Sequence, residues 1–506
     1  MGCASSNSVR DVEYDGKKDN ALVEGHLSSA FRQNLVAENK RTKIDLDYTI
    51  DWNDQNALGS GATSTVRKIQ HKVTGKTYAL KTIQLNRLSA AMRESLLNEV
   101  KIMKQLDHPN IIKIFETYID FQRLYIVMEC CTGGELFDKL YDQPQSKFLE
   151  PMVKGLATKM VSSLKYLHDN NVFHRDLKLE NFIFTKPGDQ GEIKLIDFGL
   201  STAYLEGQKF DSKVGTSYYM APEVINSNVA YTESADMWSF GCVAFMLLSG
   251  VVPFGGRTDD EIMEKAQKGE FYFRPMKWSG VSEEAKHFVT KLLTKDPEKR
   301  MSATDALKHP FLLGASLAEI DARGVCSDAP AGEDKEIALS NESLKNLKKF
   351  RDYGALKKAT LLAITMSLDE DEIASLRETF QRVDKENNGV ITLKEFSIVM
   401  AEHGITEKDQ CKAMFDSIDQ DHSAVIKYSE FLAACVEEKY FLDDKRVIEA
   451  FNRLDEDHSG SITMANLKKL LGDQVSDDSL ARMFKEVDID ESGTISLKEF
   501  REMLMK

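Results

Sequence analysis

The chain has 506 residues, a formal net charge of −15 at pH 7 and 42% hydrophobic residues. Its longest apolar run, Cys242–Leu248, is far shorter than the roughly 18 residues that a membrane span needs. The seven cysteines are scattered and odd in number, which argues against a disulfide framework. Residues 367–506, with 32 acidic and 18 basic residues, carry nearly all the net charge. This balance disfavours nucleic-acid binding and favours cations or basic peptides as partners.

Residues 1–50 are predicted to be a flexible extension that carries a lipidation signal. In the opening MGCASS, Gly2 becomes the first residue once Met1 is removed, as N-myristoylation requires. One acyl chain gives only marginal membrane binding, and Cys3 offers a palmitoylation site beside it. We expect a cytoplasmic protein anchored to membranes in this way; an unmodified polar tail is the alternative. A helix is predicted near Leu27–Lys40.

Residues 51–311 contain a series of short motifs in a fixed order. The glycine pair in LGSGATSTV is weak evidence alone, because glycine pairs are common in turns. The full series runs from LGSGATSTV (58–66) through YALK (78–81), NEVKIM (98–103), HRDLKLEN (174–181) and DFG (197–199) to APE (221–223). This succession resembles the signature set of the protein kinases. The resemblance implies an α+β bilobal fold, with a small β-rich lobe joined to a larger helical lobe.

The resemblance also implies a role for each matching residue. It assigns ATP binding to Leu58, Gly59, Ser60, Gly61, Val66, Ala79, Lys81, Met128, Glu129, Cys131, Glu135 and Asp197. It assigns catalysis to Asp176, which accepts or orients the substrate hydroxyl proton, and to Lys178, Asn181, Asp197, Lys81 and the Lys81 partner Glu99. Asn181 and Asp197 are also the implied Mg²⁺ ligands. Thr216, Asp236, Glu223 and Arg300 match structural positions of the family.

Substrate choice and activation are predicted from neighbouring residues. HRDLKLEN is the serine/threonine variant of its motif. The acidic Glu135 and Glu180 favour substrates with upstream Arg or Lys, although idle surface acids are the alternative. The positive charge of Arg175 needs an anionic partner in the activation loop, the segment between DFG and APE. We expect Asp211 to supply this negative charge, rather than a phosphorylated Ser212.

Four twelve-residue loops recur in the acidic region, at intervals of 35, 36 and 33 residues. They span 384–395, 419–430, 455–466 and 488–499. Isolated turns do not repeat at so constant a period, and the loops resemble EF-hands, which place oxygen ligands at fixed positions. Residues 367–506 are therefore expected to form an all-α, calmodulin-like domain with four EF-hands.

The EF-hand template implies a calcium ligand set for each loop. The sets are Asp384, Glu386, Asn388, Val390 and Glu395; Asp419, Asp421, Ser423, Val425 and Glu430; Asp455, Asp457, Ser459, Ser461 and Asn466; and Asp488, Asp490, Ser492, Thr494 and Glu499. The second loop is impaired by Ala424 at the glycine position and Lys427 at position 9, and the third by Asn466 at position 12. We expect the first and fourth loops to bind most tightly, so Glu395→Gln and Glu499→Gln should lower calcium affinity more than Glu430→Gln.

The linker, residues 312–366, ends in the basic amphipathic stretch NLKKFRDYGALKKATLLAITM. Apolar residues recur every third position from Leu344 to Leu356, on one side of a predicted helix. Such a helix is typical of a membrane-surface element or of a calmodulin-type target.

A kinase followed by four EF-hands resembles the calcium-dependent protein kinases of plants and protists. The cofactors implied are ATP, Mg²⁺ and Ca²⁺, the substrates are proteins, and a monomer is expected. Without calcium, Lys348, Lys349, Arg351 and Lys357 are expected to occupy the substrate cleft; with calcium, the EF-hands take the helix as an intramolecular target. The alternatives are a membrane-surface role for the helix, a catalytically inactive calcium-sensing scaffold, a calcium buffer, and an EF-hand module that braces the kinase.

Overall fold

The structure is a computed structural model. It describes residues 36–39, 44–60, 64–188, 191–197, 216–225, 232–319, 339–441, 443–455, 457, 459–471 and 477–505. Among the helices in these ranges, none has the length and apolar character needed to cross a membrane.

The small lobe is a twisted sheet beside one long helix. Within the described residues its strands are β1 (Ala37–Asn39), β2 (Tyr48–Ile50), β3 (Gly59–Ser60), β4 (Ser64–His71), β5 (Thr77–Gln84), β6 (Ile114–Ile119) and β7 (Arg123–Met128). Their order is β1-β6-β7-β5-β4-β2, and β3 pairs with β4. The helices are α1 (Ile44–Asp47) and α2 (Ala90–Met103), and Ser89 caps the start of α2. The central strand β5 is buried along most of its length and carries Lys81.

The N-terminal extension adds a strand to this sheet. β1 runs parallel to β6, with Ala37 opposite Glu116. The predicted helix near Leu27–Lys40 is therefore wrong for residues 37–39; residues 27–35 lie outside the described ranges. The edge of β6 offers unpaired backbone groups, and an extended segment satisfies them as a short helix would not.

The large lobe is helical and surrounds one apolar helix. Its elements are α3 (Leu136–Tyr141), α4 (Glu150–Asp169), β8 (Phe182–Phe184), β9 (Ile193–Leu195), α5 (Pro222–Ile225), α6 (Glu233–Ser249), α7 (Asp259–Lys268), α8 (Glu283–Leu292), α9 (Ala303–Leu307) and α10 (Pro310–Leu313). α6 is almost wholly buried, as expected for a helix that is apolar on every side. Gly241 permits its close contact with α8, because a Cβ there would lie 2.9 Å from Leu292 Cβ.

The junction forms two helices, α11 (Asn341–Arg351) and α12 (Ala355–Met366), so the single helix predicted there is wrong. Asp352 ends the first helix, and Gly354 has the extended backbone (φ −65°, ψ 158°) that starts the second. The break lets each helix bury its own apolar face, which a straight helix would not allow.

The EF-hand module surrounds α12. Its elements are α13 (Glu370–Val383), β10 (Val390–Thr392), α14 (Leu393–Glu402), α15 (Lys408–Ile418), β11 (Val425–Lys427), α16 (Tyr428–Cys435), α17 (Glu438–Phe441), α18 (Asp444–Leu454), β12 (Ile462–Thr463), α19 (Met464–Leu471), α20 (Asp477–Lys485), β13 (Thr494–Ile495) and α21 (Leu497–Met505). β10 pairs with β11 and β12 with β13, which joins the hands in two pairs. Every residue of α12 is buried, and this helix packs against α16 of the first pair and α18 of the second.

Candidate active site and calcium loops

The residues of the predicted catalytic loop lie together. Lys178 Nζ is 2.5 Å from Asp176 Oδ2, and Asn181 Nδ2 donates to the Asp176 carbonyl oxygen at 2.6 Å. The short helical turn Leu179–Asn181 brings Asn181 back towards Asp176. A carboxylate, an ammonium group and an amide therefore converge at one point of the cleft.

Buried polar groups fix this loop from behind. Asp236 is fully buried in α6 and accepts hydrogen bonds from the amides of His174 (2.9 Å) and Arg175 (3.0 Å). His174 Nδ1 accepts from the Asp176 amide, and its Nε2 donates to the Ile196 carbonyl oxygen (3.1 Å). Burial lowers the pKa of His174, which keeps the ring neutral for this bridge.

Asp197 meets Lys81 across the cleft, with Lys81 Nζ 2.5 Å from Asp197 Oδ1. Burial alone would raise the pKa of Asp197, but the Lys81 ammonium outweighs it and the pKa is lowered. Asp197 and Arg175 hold left-handed backbone, at φ +58° and +68°, a conformation that non-glycine residues seldom adopt outside functional sites. Glu99 lies on α2, and its side chain is outside the described part of the structure.

The predicted nucleotide-binding residues line neighbouring strands. Gly59 pairs with Val66 and Ser60 with Thr65, while Val66 faces Lys81 across the β4–β5 pair. Leu58 is exposed and directly precedes β3. Ala79 is buried on β5 and lies opposite Met128, the last residue of β7. Glu129 and Cys131, in the segment after β7, are half-buried. Gly61 lies outside the described residues.

The acidic residues predicted to meet the substrate lie close enough to interact. Burial raises the pKa of Glu135, and the charges of Asp138 and Glu180 raise it further.

Two of the predicted structural residues contact each other, since Arg300 forms a two-pronged ion pair with Glu223 at 2.6 and 2.9 Å. Asp211, Ser212 and the side chain of Thr216 are outside the described residues, as are Gly2 and Cys3.

The four loops share one backbone pattern. The first aspartate of each accepts hydrogen bonds from the amides of positions 5 and 6, as Asp488 does from Ser492 (3.0 Å) and Gly493 (2.9 Å). Position 6 has φ between +78° and +86° where it is glycine and +63° at Ala424, so the predicted strain in the second loop is present.

Within the described residues, three carboxyl groups converge in each of two loops. Asp419, Asp421 and Glu430 each offer an oxygen within 4.8 Å of the others, and so do Asp488, Asp490 and Glu499. Burial raises the pKa of Glu430 to about 8, and burial likewise raises that of Asp384, in the first loop, to about 8. Keeping these carboxyl groups ionised therefore costs free energy, and a bound cation would reduce that cost.

The donor sets fit the ions that the sequence implies. Carboxylate, amide and hydroxyl oxygens within the loops are the ligands that Ca²⁺ takes. Asn181 uses its amide nitrogen on Asp176, so its amide oxygen and the Asp197 carboxylate are the oxygens left for Mg²⁺.

The basic junction contacts the EF-hand module. Lys357 Nζ donates to the Leu504 carbonyl oxygen (3.0 Å) and Lys358 Nζ to that of Ser417 (3.3 Å). Lys349 pairs with Glu438, and burial lowers the pKa of Lys358 to about 8. These contacts hold the junction lysines against the EF-hand module, whereas the calcium-free expectation was that they occupy the substrate cleft.

A docking surface joins the module to the kinase, and no motif in the sequence predicted it. Asp107 Oδ2, in the loop after α2, accepts from both the amide (2.9 Å) and hydroxyl (2.5 Å) of Ser429. Next to it, a Cβ on Gly389 would lie 2.1 Å from His108 Cδ2, so this contact requires glycine. Asp107 and Ser429 are 322 residues apart in the sequence, and neither belongs to a recognisable local motif.

Ion pairs extend this surface behind the hinge, the segment 129–135 that connects β7 of the small lobe to α3 of the large lobe. Lys194 lies 3.2 Å from Glu129 in the hinge, and Glu192 lies 2.6 Å from Lys159 and 3.7 Å from Arg377 of the module. Arg377 also pairs with Glu370, and all of these atoms are shielded from solvent except the Lys159 side chain, which is 36% exposed. A charged network thus connects α13 with the strand that faces the hinge.

Comparison with known proteins identifies the family. Residues 52–312 match the protein kinase domain, and residues 364–436 and 444–505 match the EF-hand domain pair. The chain is 35% identical to calcium-dependent protein kinase 11 of Oryza sativa over 89% of this chain and 75% of that protein. The chain belongs to the calcium-dependent protein kinases. It is also 34% identical to calcium-dependent protein kinase 21 of Arabidopsis thaliana (88% and 81% covered) and 35% to calcium-dependent protein kinase 4 of Plasmodium falciparum (89% and 85%).

Membership confirms the predicted family, the predicted fold class and the predicted enzyme class, a serine/threonine protein kinase. A calcium-dependent protein kinase needs ATP and Mg²⁺ in its kinase domain and Ca²⁺ in its EF-hands. The ligand and catalytic roles of individual residues stay predictions, with the geometry above in their favour.

Proposed function

We propose that this kinase phosphorylates Ser/Thr near upstream basic residues, and that calcium frees its cleft by drawing the junction into the EF-hand module. The observation that carries the proposal is the complete burial of α12 between the two EF-hand pairs, with Lys357 and Lys358 bonded to module carbonyls. A target helix enclosed by EF-hands is the arrangement expected of an open, calcium-bound sensor.

The chemistry follows from the cleft residues. Asp176 accepts or orients the proton of the substrate hydroxyl, and Lys178 beside it stabilises charge near the transferred group. Lys81 holds the ATP phosphates and is itself oriented by Asp197. Asn181 and Asp197 would hold Mg²⁺, which would supply positive charge against the charge that develops on the phosphoryl group.

Substrate preference rests on the acids at the cleft. Glu135 and Glu180 are near enough for their charges to interact, and one buried carboxylate oxygen of Glu180 has no hydrogen-bond partner among the described residues. A substrate guanidinium would supply both the positive charge and the missing donor.

In the calcium-free state, the basic residues Lys348, Lys349 and Arg351 of α11 would compete with substrate for the same acids. Lys348 is exposed, and Lys349 holds only a solvent-exposed ion pair with Glu438, a weak contact that it can exchange for another partner. Because the module is tethered, it meets its target helix at high effective concentration once calcium binds.

Phosphate transfer to a basic serine peptide, measured in calcium and in EGTA, tests the proposal. Calcium should raise the rate at least about tenfold, and neutralising Lys348, Lys349 and Arg351 together should raise the rate in EGTA. Equal rates in calcium and EGTA would refute calcium control; no transfer under either condition would favour the inactive scaffold.

The contacts of Asp107 and His108 favour a second contribution, in which the docked module braces the loop that follows α2. A chain that ends at residue 340 separates release from bracing. We expect it to be calcium-independent but slower than the calcium-loaded full chain. Full activity would exclude bracing, and equal slowing of the full chain by Asp107→Ala in calcium would support it.

We also propose membrane attachment through acylation of Gly2 and Cys3. The support is the MGCASS sequence, and the expected site of action is the cytoplasmic face of a membrane. Gly2→Ala should move the protein from the membrane to the soluble fraction, and Cys3→Ser should do so in part. Unchanged fractionation of Gly2→Ala would contradict the proposal.

A further inference from the structure

Position 9 distinguishes the second calcium loop from the other three. Thr392, Thr463 and Ser496 occupy this position elsewhere, and each hydroxyl donates to the side-chain oxygen of position 12, at 2.7, 2.5 and 2.7 Å. Those hydroxyls orient the last ligand and bring no charge into the loop.

The second loop has Lys427 at this position. Its Nζ does not bond to Glu430 but forms an ion pair with Asp421 Oδ2, the ligand at position 3. The pair is sheltered, with the Asp421 side chain 11% exposed and that of Lys427 26% exposed.

The ammonium group therefore enters a cluster formed by three carboxyl groups. Asp419, Asp421 and Glu430 offer oxygens within 4.8 Å of one another, a separation at which three carboxylates repel strongly in a shielded loop. In the fourth loop a similar cluster contains no lysine, since its ninth residue is Ser496.

We propose that the Lys427 ammonium is a built-in cation of the second loop, holding it closed without calcium and excluding calcium from it. The loop keeps its hydrogen bonds from Ser423 and Ala424 to Asp419, both at 3.0 Å. It also keeps the start of α16 in the form that presents Ser429 to Asp107. This inference deepens the proposed calcium control, because it confines the control to the other loops.

Calcium titration of the full chain by calorimetry tests the proposal directly. Wild type and Glu430→Gln should bind the same number of ions, since the second loop takes none. Lys427→Thr, which installs the residue of the first loop, should gain one ion per chain, and Lys427→Thr with Glu430→Gln should lose it again. Loss of an ion in Glu430→Gln alone, or no gain in Lys427→Thr, would overturn the proposal.

Hydrogen exchange in EGTA provides an independent test. The amides of Ser423 and Ala424 should be protected in wild type, whereas those of Asn388 and Gly389 in the first loop should exchange faster. Lys427→Met should remove this protection, and the control Lys412→Met, at an exposed pair with Asp416 on α15, should not. Protection that survives Lys427→Met would refute the built-in cation. Both readouts are independent of phosphate transfer, so failure here is distinguishable from failure of the kinase proposal.

Discussion

Individual polar residues in this kinase act through geometry that burial enforces. Asp236 binds two backbone amides of the catalytic loop, and His174 bridges that loop to the residue before Asp197. Each of these groups is buried and has its hydrogen bonds made, so displacing one leaves a costly unpaired partner. The backbone around Asp176 and Asp197, the predicted catalytic residues, is consequently held by buried groups behind the loop.

At Asp176, the change to asparagine removes the proton acceptor while keeping the side-chain shape. We expect kcat to fall by about 10²–10⁴, the usual contribution of general base catalysis, with little change in the KM for ATP. Steady-state kinetics with a serine peptide measures both values. Asp169→Asn, at an exposed residue of α4 paired with Lys165, is the control and should leave kcat unchanged. A comparable loss in the control would contradict the assignment.

At His309, burial and then the charge of His287 lower the pKa to about 3. The unfolded chain binds a proton near pH 6.5 and the folded one does not, so stability is lost as pH falls from about 6.5 towards 3, by at most about 1.4 kcal/mol per unit. His309→Asn removes this titration and retains an acceptor for the Phe311 amide. Unfolding free energies measured from pH 6.5 to 5 should therefore fall less in the variant. Parallel curves for the two proteins would contradict the prediction.

At the scale of elements, the junction is defined by how much of each helix is covered. α12 has no exposed residue and lies between α16 and α18, whereas α11 keeps two lysines and one arginine exposed to solvent. The apolar period of the sequence indicated helix correctly, because the spacing brings apolar side chains to one face. It did not indicate the break at Gly354, because the spacing of apolar residues does not show which surface packs against each half of the junction.

Leu361 is the clearest test of this packing, because it is 1% exposed on α12. Leu361→Ala leaves a cavity and should destabilise the EF-hand module by about 2–5 kcal/mol. Thermal unfolding in calcium should show the lower midpoint, and more calcium should be needed for activation. Lys348→Ala, at an exposed site on α11, should change stability by no more than about 0.5 kcal/mol. Equal midpoints for the two variants would mean that α12 is not part of the module's core.

At the scale of the whole molecule, the EF-hand module docks behind the hinge through shielded charges. Arg377 of α13 contacts Glu370 and approaches Glu192, while Lys194, two residues further, pairs with Glu129 in the hinge. Burial of both partners makes such pairs costly to break singly. The module is thereby linked, through Glu192 and Lys194, to the segment predicted to bind ATP.

Arg377→Gln breaks this link and removes the ion-pair partner of the shielded Glu370 carboxylate, whereas Glu192 keeps its pair with Lys159. We expect the calcium-loaded protein to lose about 3–5 kcal/mol of stability and its KM for ATP to rise. Thermal unfolding and ATP titrations in calcium measure the two effects. The control is Arg382→Gln, at a solvent-exposed arginine on the same helix, and it should show neither. A stability loss without any change in the KM for ATP would indicate a purely structural network.

The family, the two-lobed kinase, the four calcium loops and the residues expected to act in them could all be predicted from the amino-acid sequence. This was possible because each motif is local: the chemistry requires fixed residue types at fixed short spacings, as in HRDLKLEN or a twelve-residue loop. Tertiary structure alone decided that the extension forms β1, that the junction divides at Gly354, and that Asp107 meets Ser429. β1 and Asp107 each contact a segment far away in the chain, and the division at Gly354 depends on the surfaces that cover each junction helix. The free energy of these contacts comes from surfaces that exist only once both partners have folded.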